Sequence, residues 1–384
     1  MGNFFQILKA DADPSPFIKW AEQYGGIFTV HFHWNEPRVV VSDDKLVKQI
    51  LTSQMYDFEK PVTASKTLSR ITGNGLIVAE GHTHRVQRKM LNPAFSVQSI
   101  RAMVPLMIGP CYALRDQWIQ LISNNHTEYT EIEVSRGLSL ATLDIIGITA
   151  FGQDFGSVAY YDTGKMNRLN KAYFKLFSRG LSLIQILTIA FPVLGLLPTK
   201  KNRENAEMLR WLKEESEALV EAGLQRDAEE KKSGKTSQYQ DLLALMVNLI
   251  DEDTGKGFTK EELRHQCLTF LAAGHETTSH TLCWCLWLLA QHQDIQDKLR
   301  SEILGLFKDN KISDYDAVNA LPYLDHVCRE TLRLIPTVPR TMRVNRVPVV
   351  LGPYVLPKDT IFYIPCIVSH HSKEIWGEDF CCLS

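Results

Sequence analysis

β-branched and aromatic residues are concentrated in two short segments near the start of the chain. Gly26–Phe32 and Arg38–Val41 both have the composition of strands, and Asn35-Glu36-Pro37 between them is typical of a turn. We therefore predict a β-hairpin here. Ser42 or Asp43 has the short polar side chain that caps helices, so a helix is predicted to begin directly after it.

Most of the remaining chain has helical spacing of its apolar residues. From about residue 86 to residue 250 they recur at steps of three and four, which indicates amphipathic helices. Thr259 and Glu262 form a capping-box pattern before a long apolar run, and we predict one helix from there to about Arg300. Another helix is predicted to end near Leu334, and short strand-like segments follow it. The expected fold class is mainly α with a small β part.

Composition narrows the class of protein. The 384 residues include 42 Lys and Arg against 44 Asp and Glu, and 45% are hydrophobic, which is ordinary for a soluble globular enzyme. A nucleic-acid-binding protein would carry a clear basic excess, so no nucleic-acid partner is expected. The eight cysteines are scattered without a CxxC pair, which fits a reducing compartment and argues against a zinc ribbon.

One long apolar stretch covers Leu181–Leu197, which is barely long enough to span a bilayer and is interrupted by Pro192 and Gly195. A buried or interfacial segment is the favoured interpretation, and contact with a membrane surface is the alternative. Residues 1–10 lack the pattern of a signal peptide or an anchor, so neither is expected there.

The middle of the long predicted helix carries polar residues among small ones. Ala273 and Gly274 would allow something to approach the backbone closely, and Glu276 and Thr277 could hand protons inward. The alternative is a structural kink with the threonine bonded to the preceding turn, and the residues alone do not choose between these readings. A zinc-protease site is disfavoured, because His275 and His280 are five residues apart and point about 140° away from each other.

Two further strings combine charge with helical spacing. Glu330 and Arg333 lie three residues apart on one helix face, as an ion pair would. Arg85, Arg88 and Lys89 lie close to a helix start, where cations are unfavourable unless an anion binds there. Taken singly, an incidental ion pair and a solvated basic face are the simpler interpretations.

Together, in this order and at these separations, the three strings resemble the cytochrome P450 family of haem-thiolate monooxygenases, of the eukaryotic microsomal type. The similarity runs from about Tyr24 to Asp379. It implies a single domain over residues 1–384, with a β-rich part over 24–42 and 340–365 and a helical part over 43–335.

The resemblance also assigns roles to particular residues. Thr277 would hydrogen-bond the bound dioxygen and Glu276 would relay protons, both as catalytic residues, and Glu330 with Arg333 would form a structural ion pair. The remaining implied contacts are with the haem, and they come from His84, Arg88, Ala273, Gly274 and Arg343.

The implied activity inserts one oxygen atom from O2 into a small hydrophobic substrate. Its cofactor would be haem (iron protoporphyrin IX), and its electrons would come from NADPH through a flavin reductase. The implied location is the cytosolic face of the endoplasmic reticulum membrane, with the segment 181–197 near the membrane. A cytosolic location is the alternative, because no anchor is predicted.

The chain departs from the family pattern after Asp379, where it reads Phe380-Cys381-Cys382-Leu383-Ser384. The family's Phe-x-x-Gly-x-x-x-Cys segment, which supplies the axial thiolate, is not found in these residues, so the fold is expected to be incomplete at its C-terminal end and no metal ligand is predicted. Cys381 and Cys382 lack the glycine-containing turn that would tune a substitute ligand, and Cys366 is expected beside a strand in the core. A catalytically inactive truncated fragment is therefore the alternative to the monooxygenase.

Overall fold

The computed structural model describes residues 3, 6–7, 15–32, 35–124, 129–163, 168–177, 199–234, 241–306 and 315–378. The apolar stretch 181–197 and the cysteines at 381 and 382, on which predictions were made above, lie outside these ranges.

Fifteen α-helices are defined in the described ranges. They are α1 Ser15–Tyr24, α2 Asp44–Lys48, α3 Val62–Thr72, α4 Gly81–Leu91, α5 Val97–Asn124, α6 Val134–Phe151, α7 Arg168–Phe177, α8 Lys200–Ser233, α9 Leu242–Asn248, α10 Lys260–Gln291, α11 Gln293–Leu306, α12 Tyr315–Asn319, α13 Pro322–Leu334, α14 Cys366–His370 and α15 Lys373–Trp376. The strands are β1 Ile27–His31, β2 Pro37–Val41, β3 Phe58–Glu59, β4 Thr341–Asn345, β5 Val349–Leu351, β6 Tyr354–Leu356 and β7 Ile361–Ile364. The mainly α class with a small β part is confirmed.

The predicted hairpin is present as β1 and β2, which pair antiparallel with Ile27 opposite Val41. They belong to a five-stranded sheet of order β1-β2-β7-β4-β3, in which β2 and β7 run parallel. Val41 and Phe362 are fully buried in the core beneath this sheet. Asp43 is the residue that caps α2, because its carboxylate accepts a hydrogen bond from the backbone N–H of Leu46.

The larger helical core is built from the apolar faces of α6 to α10. Leu143, Leu212, Leu243 and Leu271 are almost completely buried there. By length and composition α6 could cross a bilayer. Eleven of its 18 residues are buried within the protein, including Asp144, as is usual for a core helix of a globular protein.

Helix α10 begins as predicted and ends earlier than predicted. The Thr259 hydroxyl accepts a hydrogen bond from the Glu262 backbone N–H, and the Glu262 carboxylate accepts one from the Thr259 N–H, so the capping box is confirmed. The predicted continuation to Arg300 is wrong, since α10 stops at Gln291 and α11 starts at Gln293. The side-chain amides of Gln293 and Gln296 donate to backbone carbonyls in the last turn of α10, which stabilises this break.

The chain divides into two compact units. One, the sheet unit, contains residues 1–66, 284–303 and 321–384, and the other, the helical unit, contains residues 67–283 and 304–320. The single-domain assignment made from the sequence stays a prediction.

Candidate active site

An open stretch of surface lies at the middle of α10, within the helical unit. Ala273 is exposed, although Leu271 and Ala272 beside it are buried. The face of α10 that carries Ala273 is therefore open, because the only side chain at this position is a methyl group. Thr277 lies one turn further along, and its hydroxyl donates to the Ala273 carbonyl at 2.6 Å. This is the bond to the preceding turn that the structural interpretation of the motif requires, and it also holds the Thr277 hydroxyl beside the open face.

Gly274 allows close helix packing. A Cβ atom at this position would lie 2.7 Å from Cδ1 of Ile146 on α6, well inside van der Waals contact. The close approach that the sequence predicted at Gly274 is therefore made by another helix of the same unit. The neighbouring Ala273 faces elsewhere, because successive residues of a helix are rotated by about 100°.

Glu276 is a largely buried carboxyl group, with 15% of its side chain exposed. Burial raises its pKa from 4.5 to about 7. His280 is an ionisable neighbour, and its Nε2 lies 3.5 Å from Oε2 of Glu276. A carboxyl group with a pKa near neutrality can both give and accept a proton at physiological pH, which is the property that proton delivery requires.

His275 lies on the opposite side of α10 from the open face. It is 1% exposed, and burial lowers its pKa from 6.5 to about 4, so the ring is neutral at physiological pH. His280 is exposed and on a different helix face, so these two histidines do not share a site. Within the described ranges, no group of three or more metal-ligating side chains is found.

Helix α4 carries the predicted cofactor contacts His84 and Arg88. Arg88 is exposed, and no side chain in the described part of the chain forms a hydrogen bond or ion pair with its guanidinium group. Gln87 beside it points inward, and its Oε1 accepts a hydrogen bond from Nε2 of the buried Gln266 on α10 at 3.0 Å. Gln266 in turn accepts from the backbone N–H of Leu76. This buried amide pair anchors α4 to α10 and leaves Arg88 directed outward.

Glu330 and Arg333 form a close ion pair on α13, in the sheet unit. Nε and Nη2 of Arg333 donate to the two carboxylate oxygens of Glu330 at 2.7 and 2.5 Å. Nη1 of Arg333 donates to the His370 carbonyl at 2.7 Å, and its guanidinium lies 4.9 Å from the Trp376 ring centroid. Arg333 is 6% exposed, so the pair braces α13 against the segment that contains α14 and α15.

Arg343 lies on β4, also in the sheet unit. Its Nη1 donates to Oγ1 of Thr341 at 2.9 Å and to the Met342 carbonyl at 2.8 Å. The pairing of β4 with β7 fixes the backbone at this position, with Arg343 opposite Phe362. The predicted site residues are thus divided between units, with Glu330, Arg333 and Arg343 in one and the six residues on α4 and α10 in the other.

The described residues are suited to binding the haem propionates, but not to the axial position of the haem iron. The open Arg88 guanidinium suits the carboxylate of a haem propionate, since arginine binds carboxylates in bidentate fashion. The axial position requires a thiolate, and burial raises the pKa of each cysteine in the described ranges, which favours the thiol in every case. Cys366, in addition, donates its S–H to the Val338 and Pro339 carbonyls. None of the described cysteines is therefore suited to the axial position.

Sequence reasoning missed three of the polar groups that hold these elements in place. Gln87 and Gln266 are 179 residues apart, and Ser139, which contacts His275, is 136 residues from it. The available signal was weak: Gln266 is a polar residue within the mostly apolar run of α10, which indicates a buried group that needs a partner.

Comparison with known proteins identifies the family. A family model described as "Cytochrome P450" matches residues 1–379. Cytochrome P450 monooxygenase 128 of Postia placenta is 33% identical over 98% of this chain and 73% of its own length. Cytochrome P450 monooxygenase claO of Ampulloclitocybe clavipes is 29% identical over 97% of this chain and 71% of its own, and cytochrome P450 709B1 of Arabidopsis thaliana is 30% identical over 94% and 67%. The chain belongs to the cytochrome P450 family of haem-dependent monooxygenases.

Proposed function

We propose that Glu276 and Thr277 deliver protons for the monooxygenation of a small hydrophobic substrate, with electrons drawn from NADPH through a flavin reductase. Members of this family use haem, hydrophobic substrates and a redox partner. The assignment of NADPH, of a flavin reductase and of these two residues is our proposal.

The observation that carries this proposal is the environment of Glu276. A carboxyl group on a helix would ordinarily turn toward solvent, yet this one is largely buried and its pKa is raised to about 7. Thr277 is the next residue, and its hydroxyl lies beside the open face at Ala273. Haem, when bound, supplies the chemistry that activates O2. The chain's part is to hold a proton on the Glu276 carboxyl group and a hydrogen-bonding hydroxyl at Thr277, next to the open face.

We further propose that Arg88, His84 and Arg343 hold the haem propionates. Arg88 is supported by its open guanidinium group, and Arg343 is supported by its fixed place on β4, which pairs with a strand on each side. Ala273 would leave room for the macrocycle at the open face of α10, and Gly274, which packs against Ile146, would contribute through the backbone next to it. The axial thiolate is not proposed from any cysteine of the described ranges, because each of them favours the thiol.

The organelle in which this protein is located is also part of our proposal. Cytochromes P450 are often membrane-associated, and we propose the cytosolic face of the endoplasmic reticulum for this chain. The segment 181–197 is the proposed membrane contact on its composition alone.

The first test is the carbon-monoxide difference spectrum of the haem-supplied, reduced 384-residue chain. A red-shifted Soret band of the thiolate type would support the monooxygenase and would call for replacement of Cys366, Cys381 and Cys382 by serine to find the ligand. A band of the imidazole type, or no bound haem, would favour the alternative that these residues alone are catalytically inactive.

The propionate contact is tested by haem titration of Arg88→Ala. We expect about a tenfold loss of haem affinity or more, because a charge-assisted hydrogen bond contributes about 1.5–3 kcal/mol. Lys89→Ala is the matched control, since Lys89 is an exposed cation on the same helix that pairs with Glu252 at 2.9 Å. Equal losses in both variants would contradict the assignment of Arg88.

A further inference from the structure

Three residues on one face of α6 contact α10 at Gly274 and His275. Oγ of Ser139 lies 2.8 Å from Nε2 of His275. Oγ1 of Thr142 lies 3.2 Å from the His275 carbonyl, while its shortest hydrogen bond goes to the Leu138 carbonyl of its own helix at 2.9 Å. Ile146 packs against the Gly274 backbone. The spacing of 139, 142 and 146 places the three residues on one face of α6, so α6 contacts α10 along a line that includes the Ser139–His275 hydrogen bond.

The ring of His275 is held on more than one side. Its centroid lies 5.8 Å from that of Tyr173 on α7, and its Nδ1 is buried without a hydrogen-bond partner among the described residues. A buried N–H group is rarely left unpaired, so the proton of the neutral ring belongs on Nε2. His275 therefore donates to Ser139, and a second proton on Nδ1 would have no acceptor.

This contact opposes rotation of α10 about its axis, in addition to the Gln87–Gln266 pair that ties α10 to α4. Successive residues of an α-helix differ by about 100°, so Glu276 and Thr277 lie about 100° and 200° around from His275. A helix that contains Ala272, Ala273 and Gly274 has few large side chains to resist rotation in this turn. The Ser139–His275 hydrogen bond and the packing of Ile146 against Gly274 contribute that resistance at the two residues before Glu276.

We propose that Ser139 and His275 are positioning residues, whose hydrogen bond helps to hold α10 at the rotation that keeps Glu276 buried and Thr277 at the open face. This inference rests on the proposed function of those two residues. It gives a role to Ser139, which does not reach the open face, and to His275, which points away from that face.

Three titratable side chains near this contact have to be considered for the pKa of Glu276. Tyr173 faces His275 from α7, and His280 of α10 lies beside Glu276. Asp144 of α6 faces elsewhere, because its two carboxylate oxygens accept from the backbone N–H groups of Ser157 and Val158. A change in the pKa of Glu276 after substitution of Ser139 would therefore report a change in the position of Glu276.

The test measures the pKa of Glu276 in the full chain without haem. Unfolding free energies are measured from pH 4 to pH 8 with and without the substitution Glu276→Gln, and the difference between the two curves gives the pKa of Glu276 in that background. In Ser139→Ala we expect this pKa to fall toward 4.5 by at least about one unit, which corresponds to a tenfold change in proton affinity. Ser139→Thr retains the hydroxyl and should restore the wild-type value.

Thr149→Ala is the matched control. Thr149 is also a buried hydroxyl on α6, but its hydrogen bond goes to the Ile145 carbonyl of its own helix. We expect this variant to lower stability and to leave the pKa of Glu276 within about 0.3 unit. His275→Phe replaces Ser139→Ala if the latter does not fold, because it removes the other partner of the same hydrogen bond, and the same fall in the pKa of Glu276 is expected.

An unchanged pKa in Ser139→Ala, or an equal fall in Thr149→Ala, would overturn the positioning role. The proposed function is tested separately by turnover of the haem-loaded enzyme with Glu276→Gln. If that turnover is unchanged while Ser139→Ala still lowers the pKa of Glu276, the contact positions Glu276 but proton delivery through Glu276 is wrong.

Discussion

His275 and Glu276 are adjacent buried residues on α10, and they should make the stability of the protein depend on pH in opposite directions. The folded-state pKa of Glu276 is about 7 against 4.5 for an ordinary carboxyl, so its favourable contribution is complete below pH 4.5 and is lost as the pH rises through 7. The folded-state pKa of His275 is about 4 against 6.5, so stability is lost as the pH falls from 6.5 toward 4. Each shift corresponds to about 3 kcal/mol, at 1.36 kcal/mol per unit.

Between pH 4.5 and pH 6.5 these two slopes have opposite signs and nearly equal size, so they cancel in the wild type. Glu276→Gln removes one of them. We expect the unfolding free energy of this variant to rise with pH, relative to the wild type, by about 3 kcal/mol between pH 4.5 and pH 7.

Urea unfolding at matched pH values measures this difference, and other titrating groups cancel when the two chains are subtracted. Glu229→Gln is the control, because Glu229 is an exposed glutamate on α8 and its substitution should leave the pH dependence of the wild type in place. A difference between wild type and Glu276→Gln that stays constant within about 1 kcal/mol from pH 4.5 to pH 7 would refute the reasoning, since Glu276 would then be as well solvated when folded as when unfolded.

Two further substitutions test the packing and the ion pair. Gly274→Ala brings a Cβ atom to 2.7 Å from Ile146 and should cost about 1–3 kcal/mol of stability in urea unfolding, whereas Ile146→Val in the same chain should recover part of it. Glu330→Gln leaves the buried Arg333 guanidinium without its anion and should cost about 3–5 kcal/mol, and a loss below about 1 kcal/mol would show that the carbonyl of His370 and the ring of Trp376 are sufficient partners.

Local sequence signals predicted those features whose partners are near in the chain. The β1–β2 hairpin, the Asp43 cap and the Thr259/Glu262 capping box each depend on residues within about fifteen positions, and each is present. The two-residue strand β3 was not predicted, because Phe58 and Glu59 are extended only through pairing with β4 more than 280 residues away. The end of α10 at Gln291 was also missed, since glutamine side chains that bond to carbonyls leave no distinctive pattern.

The candidate site was predicted mainly through the family resemblance, and its environment came only from the structure. The sequence indicates that Glu276 stands in an apolar helix, but its burial depends on the tertiary packing around α10. The same is true of His275, whose pKa is lowered because α6 and α7 cover the ring. Periodicity predicts which residues share a helix face, and it does not say which face is covered by protein.

The two interpretations of the segment Ala273–Thr277 describe different faces of one helix turn. Gly274 and His275 serve packing, since they contact Ile146 and Ser139 on α6, and the hydroxyl of Thr277 does bond to the preceding turn. That structural interpretation does not account for Glu276. A residue selected only for helix packing at a largely buried position would be apolar, because burying a carboxyl group that has no strong partner costs free energy. The cost of about 3 kcal/mol is retained at a position one residue from Thr277, and this is the physical reason for our proposal that Glu276 takes part in chemistry and its neighbours support it.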